Sequence, residues 1–181
     1  MKPISQPLAG FASNITSQNG EDGLLAEIFR RLGEANRWCL EVGAWDGEHL
    51  SNTCVFWRDR GWSSVLIECS DRSFAGLKAK TAAFPKVHAF HRLVTAAGPA
   101  SLDAILREAG APKDIDLVSI DVDGNDYYLF ESLREFSPRV VIIEHNPTIP
   151  PEVEAVQNPD SRARFGASAA ALLALARCKG Y

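Results

Sequence analysis

Trp38-Cys39-Leu40-Glu41-Val42-Gly43-Ala44-Trp45-Asp46-Gly47 is a short apolar run that ends in an acid, two glycines and a second acid. An apolar run this short, bounded by glycine, reads as a buried strand rather than a helix. A strand that breaks at Gly43 leaves backbone free to approach a ligand that a Cβ would exclude, so a cofactor pocket is expected at its end. The Gly-x-Gly-x-x-Gly spacing of dinucleotide sites is missing, which argues against hydride transfer on NAD. Glu-x-Gly-x-x-x-Gly alone is a pattern that any tight strand-to-loop turn produces, so the flanking sequence has to decide.

Outward from this stretch, strand and helix patterns alternate. Leu24, Leu25, Ile28, Phe29 and Leu32 recur at helical spacing up to Gly33, and Glu21 and Asp22 supply negative charge at the start of that helix or line the cofactor site. Ser51 to Arg60 reads as the first crossover helix and Ser63 to Glu68 as the second strand. A helix from Asp71 to Ala83, an edge strand from Lys86 to Val94 and a helix opening at Ser101 follow. Two more strands, Ile115 to Ile120 and Arg139 to Ile143, run into Asp121-Val122-Asp123-Gly124-Asn125-Asp126 and Glu144-His145-Asn146-Pro147, with a helix from Tyr127 to Phe136 between them. Pro147 to Phe165 reads as a loop over the pocket mouth, and Ala167 to Cys178 as the last helix. The expected fold is therefore α/β, a doubly wound parallel sheet with helices on both faces. In such folds ligands bind beyond the carboxyl ends of the strands, where Gly43, Glu68, Asp121 and Glu144 all fall.

The 181 residues fit one domain, 1–181, with residues 1–16 as a loose N-terminal arm. A net charge of −4 argues against nucleic-acid binding by phosphate neutralisation. Four scattered cysteines form no C-x-x-C, and no stretch has the length of a signal core or a membrane span, so the expected place is the reducing cytoplasm with no membrane partner. Oligomeric state leaves no trace in the sequence.

With Glu41 to Gly47, Glu68 and Ser119 to Asp126 together, the chain resembles a class I S-adenosylmethionine-dependent methyltransferase with a Rossmann-like sheet. Ser17-Gln18-x-Gly20-Glu21-Asp22-Gly23, Leu50-Ser51-Asn52-Thr53 and Glu144-His145-Asn146-Pro147 make it similar to the FkbM-type branch in particular. The resemblance covers roughly Ser17 to Tyr181 and implies S-adenosyl-L-methionine as cofactor. It implies that Glu41, Gly43, Ala44, Asp46 and Gly47 carry the methionine part, that Glu68 takes the ribose hydroxyls, and that Asp121 sits beside the methyl and the acceptor. Class I enzymes usually continue into two further strands, and this sequence ends at Gly180-Tyr181, so the C-terminal strand pair is expected to be missing.

The expected reaction is O-methylation of a hydroxyl on a small molecule or glycan. A hydroxyl acceptor needs its proton taken up, and Asp121, Glu144 and His145 are the candidate bases, with Asp123 near them. A divalent metal held by Asp121 with Glu144 or Asn146 is possible but not favoured, and the Asp121 to Asp126 run departs from an EF-hand at its glycine and its twelfth residue. Asp123, Asn125 and Asp126 have capping of the next helix as their alternative role. Trp45, His49, Tyr127, Tyr128 and the Pro147 to Pro151 turn are candidates for the acceptor pocket or for packing. The alternative function is a catalytically inactive, methyltransferase-fold interaction module.

Overall fold

The computed structural model describes residues 7–161 and 164–181; the start of the expected N-terminal arm lies outside them. Five strands, β1 (Trp38–Val42), β2 (Ser63–Glu68), β3 (Val87–His91), β4 (Leu117–Ile120) and β5 (Val140–Ile143), form one parallel sheet in the order β3-β2-β1-β4-β5. The chain leaves β1 for β2 and β3, then returns to the other side of β1 with β4 and β5. That reversal opens a crevice beyond the ends of β1 and β4, where open α/β sheets place their ligands. No described helix is long and apolar enough to cross a membrane, and all four cysteines are free thiols.

Alternation along the strands builds a core on each face of the sheet. Leu40 and Val42 of β1, with Val65, Ile67, Val118 and Ile120, pack under α3 (Leu102–Glu108), α4 (Asp126–Ser132) and α5 (Ala169–Cys178). On the opposite face Cys39 and Leu117 meet Leu25 and Phe29 of α1 (Glu21–Leu32), together with Phe56 and Trp62. Leu66 packs there too, with Leu77 of α2 (Asp71–Thr81). Phe29, Phe56 and Trp62 meet at ring-centroid distances of 4.6–5.4 Å in edge or tilted arrangements, the geometry that aromatic quadrupoles favour.

The first crossover differs from the expected α-helix. Only Val55–Asp59 is helical, as one π turn closed by Arg60 N–H on the Val55 carbonyl. The wide turn buries Val55, Phe56 and Trp57 consecutively, which a 3.6-residue period does not do. Helix α4 is likewise shorter than expected, because Leu133 leaves helical geometry at ψ 102°. The described part of the N-terminal arm is fastened: backbone N–H groups of Ile15, Thr16 and Ser17 all donate to Oδ2 of buried Asp22, at 2.7–2.8 Å.

Just before β4, Asp116 is fully buried and closes the turn that feeds β1. Its carboxylate accepts the N–H groups of Ala35, Asn36 and Arg37 and pairs with the Arg139 guanidinium. Burial alone would raise its pKa; Arg139 and the three N–H groups outweigh it and hold the carboxyl below its usual range. Removing one partner of such a pair strands the other, so Asp116→Ala should cost about 3–5 kcal/mol. Urea denaturation measures this, and a cost near zero would show that Asp116 is not what fastens the turn.

Candidate active site

The strand-end acids split into two groups. Glu41 lies one residue short of the end of β1, so the alternation of the strand turns it to the α1 side with Cys39. There it is buried, and it accepts from Ser51 Oγ (2.6 Å), Thr53 Oγ1 (2.7 Å) and the Asn52 N–H (2.8 Å). Burial raises its pKa against these three donors. Glu41 therefore does not face the crevice; it clamps Ser51-Asn52-Thr53 beneath β1.

The loop between is held at several further points. Gly43 and Ala44 N–H groups both donate to the Ile67 carbonyl. Asp46 Oδ1 accepts the N–H groups of Glu48 and His49, and Lys80 Nζ pairs with Asp46 and Glu48 at 2.9 Å each. Against the burial that would raise it, the His49 N–H and Lys80 draw Asp46 down to about 2. Held in this way, Trp45 and Leu50 keep left-handed φ angles of 48° and 56°, a strain that persists only where surroundings over-determine the backbone. Gly43 has φ 82°, and a Cβ there would meet the Asp121 carbonyl oxygen at 1.8 Å. The glycine is thus required by the approach of β1 to β4, and it also lines the cavity beyond the strand ends. Gly47 has a left-handed φ of 84°, which favours glycine, and an added Cβ would press on Leu77 of α2 at 2.8 Å; Ala44 is core.

Beyond the strand ends lies a cavity of about 700 Å³, lined by Gly43, Trp45, Glu68, Asp121 and Glu144 among others. Its volume falls in the range of cofactor sites. Glu68 is buried at its edge, with Oε2 accepting the Trp45 N–H (2.9 Å) and Oε1 the Ser70 N–H (2.7 Å). Each oxygen so held keeps acceptor capacity for a ligand. Of the expected site residues, Gly43, Glu68, Asp121 and Glu144 thus share one cavity, while Glu41, Ala44, Asp46 and Gly47 shape the loop behind it. His145 lines a neighbouring cavity of about 220 Å³ with Asn146 and Pro147. Trp45 and His49 reach the larger cavity and stack edge to face at 5.1 Å; Tyr127 and Tyr128 do not line it.

Asp121, Asp123 and Glu144 bring one carboxylate oxygen each within 4.8 Å of one another, close enough to share a cation or a proton. Asn146 is not with them, since its side chain binds the Phe165 carbonyl and Thr148. Partial burial, then repulsion by Asp121, Asp126 and Asp123, pushes Glu144 up to about 7. Asp121 is raised as well, by burial first and then by Asp126 and Asp123, so the two titrate as a pair joined by a hydrogen bond. Asp126 is buried and fastens the β4–α4 loop by accepting the Val122 and Gly124 N–H groups. Asp123, at φ 55°, turns into the cavity instead.

Two contributors carried no local sequence signal. Gln157 Oε1 accepts the Phe165 and Gly166 N–H groups, and its Nε2 donates to Asn125 Oδ1, tying the segment after β5 to the β4–α4 loop. Arg164, on that segment, pairs with Asp123 at 2.9 Å over the cavity. The segment was expected over the pocket mouth, and Gln157, Ser161 and Arg164 do line it.

A family model described as the Methyltransferase FkbM domain matches residues 98–177. No curated protein matches the sequence. Among solved structures, the N-terminal domain of EvdMO1 with SAH bound is 13% identical at a TM-score of 0.58, over 97% of this chain and 75% of that one. The citrinin polyketide synthase CMeT domain is 13% identical at 0.57, over 88% of this chain and 45% of that one. The glycopeptide N-methyltransferase MtfA complexed with SAM is 21% identical at 0.44, over 76% and 57%. The chain spans about half the length of several structures it matches, 48% and 49% in two further cases. Residues 98–177, somewhat under half of the chain, thus match that domain model, and the five-stranded parallel sheet gives the chain the fold of these methyltransferase structures.

Proposed function

We propose that this chain is an S-adenosylmethionine-dependent methyltransferase, with the cofactor in the larger cavity and a hydroxyl oxygen of a small molecule or glycan as acceptor. The observation that carries the reading is Glu68. Its two oxygens are fixed by one backbone N–H each, at the end of the strand beside β1, with acceptor capacity left toward the cavity. Two vicinal hydroxyls of a ribose suit that pair of acceptors. The FkbM match and the SAH bound in the EvdMO1 domain structure support it.

When bound, the cofactor supplies a methyl already activated on a sulfonium, so the protein mainly has to align two reactants, which accounts for up to ~7–11 kcal/mol of barrier lowering. Glu68 holds the ribose and the fixed Trp45 loop shapes the wall beside it. Asp121 and Glu144 take the proton that the acceptor hydroxyl loses; Glu144, raised to about 7 by partial burial and the neighbouring acids, suits a general base at physiological pH. His145, in the adjoining cavity with Glu144, is the second candidate for that proton.

Calorimetric titration with S-adenosylhomocysteine tests the reading, and absence of binding by folded protein would overturn it. Glu68→Ala should weaken binding more than tenfold for each hydrogen bond lost, at about 1.5–3 kcal/mol apiece. Asp121→Asn and His145→Ala should spare cofactor affinity and lower turnover. The acid pair also makes a prediction about stability. Glu144 holds its proton up to about pH 7 in the folded chain and only to about 4.5 when unfolded, so the folded state binds more protons in that window and stability falls as pH rises through it. In Glu144→Gln thermal melts from pH 4 to 8, that slope should flatten and the variant should melt higher than the parent above pH 7; an unchanged slope would remove Glu144 as its source.

A further inference from the structure

The larger and smaller cavities share three lining residues, Asp123, Glu144 and Arg164. Since Arg164 Nη1 lies 2.9 Å from Asp123 Oδ2, the two spaces are one cleft divided by an ion pair. Both partners are largely exposed, 76% and 60%, and such a pair is held weakly in water. The segment bearing Arg164 is fastened on both sides of it, by Gln157 to Asn125 and by the Phe165 carbonyl to Asn146 Nδ2. Both fastenings stay when the arginine leaves, and the stretch between them loses its tie to Asp123.

Charge decides when it leaves. Asp121, Asp123 and Glu144 face this part of the cleft, and among the described residues Arg164 is the cation paired with one of them. Arg92 lines the larger cavity as well, but both its terminal nitrogens are committed to Glu108, at 2.7 and 3.0 Å. A second positive charge brought to the same carboxylates competes with the guanidinium for them and repels it at short range.

We propose that the Arg164–Asp123 pair is a charge-operated partition. A ligand that carries a cation to the acids displaces the guanidinium and joins the two cavities; a neutral ligand leaves them divided. The inference rests on the methyltransferase reading, in which the cofactor is a sulfonium before transfer and a neutral thioether after it. The acceptor oxygen forms the new bond to the methyl carbon, the carbon–sulfur bond breaks with its electron pair going to sulfur, and the hydroxyl proton goes to the acid pair. The smaller cavity, with His145 and Glu144 on its wall, thus opens toward a methyl group only while there is one to transfer, and closes when the charge is gone.

The test compares sinefungin, which places a cationic amine near the reacting position, with neutral S-adenosylhomocysteine. Hydrogen exchange over 158–166, read by mass spectrometry, should quicken several-fold with sinefungin and not with S-adenosylhomocysteine. Arg164→Gln should abolish the difference and raise sinefungin affinity relative to S-adenosylhomocysteine by about three- to tenfold, the effect of deleting one like charge nearby. Asp123→Asn, which leaves the arginine in place, should also abolish the exchange difference. Equal exchange with the two ligands in the parent chain, or a difference that survives either substitution, overturns the partition. Calorimetry on the same samples separates the two claims: if neither ligand binds, the cofactor reading fails and takes the partition with it, whereas binding of both without an exchange difference overturns the partition alone.

Discussion

The arrangement of the cleft depends on one buried carboxylate. Glu41 sits under the sheet with two hydroxyls and an amide N–H pointed at it, and an acid in that position tolerates burial only while those donors stay. Ser51, Asn52 and Thr53 are therefore obliged to return to β1, and the excursion from Val42 to Leu50 is closed at both ends. Within that closed loop there is little freedom left. Gly43 must pass the Asp121 carbonyl, Gly47 must pass Leu77, and Trp45 lands with its N–H on Glu68. A cavity wall is made rigid by an acid that is not itself part of the lining.

This division of labour explains what was legible in the sequence. The five strands were readable because each is a short apolar run, and their parallel order because helical periods separate them. The cavity acids were readable because ligands collect at strand ends, and Glu68, Asp121 and Glu144 follow that rule. Glu41 was read in the same way and has the other role. Its displacement by a single residue from the end of β1 reverses its face, and the Ser-x-Thr pair ten residues on is the signal that it has partners of its own. The π turn at Val55–Asp59 was not readable, since its composition suits an α-helix and the wider turn answers to the need to bury Phe56 and Trp57 together. Gln157 and Arg164 lay beyond local reasoning, because their partners Asn125 and Asp123 are 32 and 41 residues away in the chain.

Electrostatically the cleft is uneven. Four carboxylates gather around the ends of β4 and β5, and one of them, Asp126, is spent on holding the backbone. The remaining three are too close for independent ionisation, so a proton on Glu144 shared with Asp121 relieves the repulsion at neutral pH. The same crowding favours positive charge at this end of the cleft, a preference that comes from the fold itself.

The strained loop has a spectroscopic side. Trp57 and Trp62 are buried and Trp38 is half-buried, whereas Trp45 is 52% exposed at the rim of the cavity, edge-on to the His49 ring. Its emission is therefore set largely by water, and the emission of the others largely by the core. The chain carries a native fluorophore at the mouth of its own cleft, one hydrogen bond from Glu68, and an iodide-quenching curve would resolve that single indole from the rest without any label.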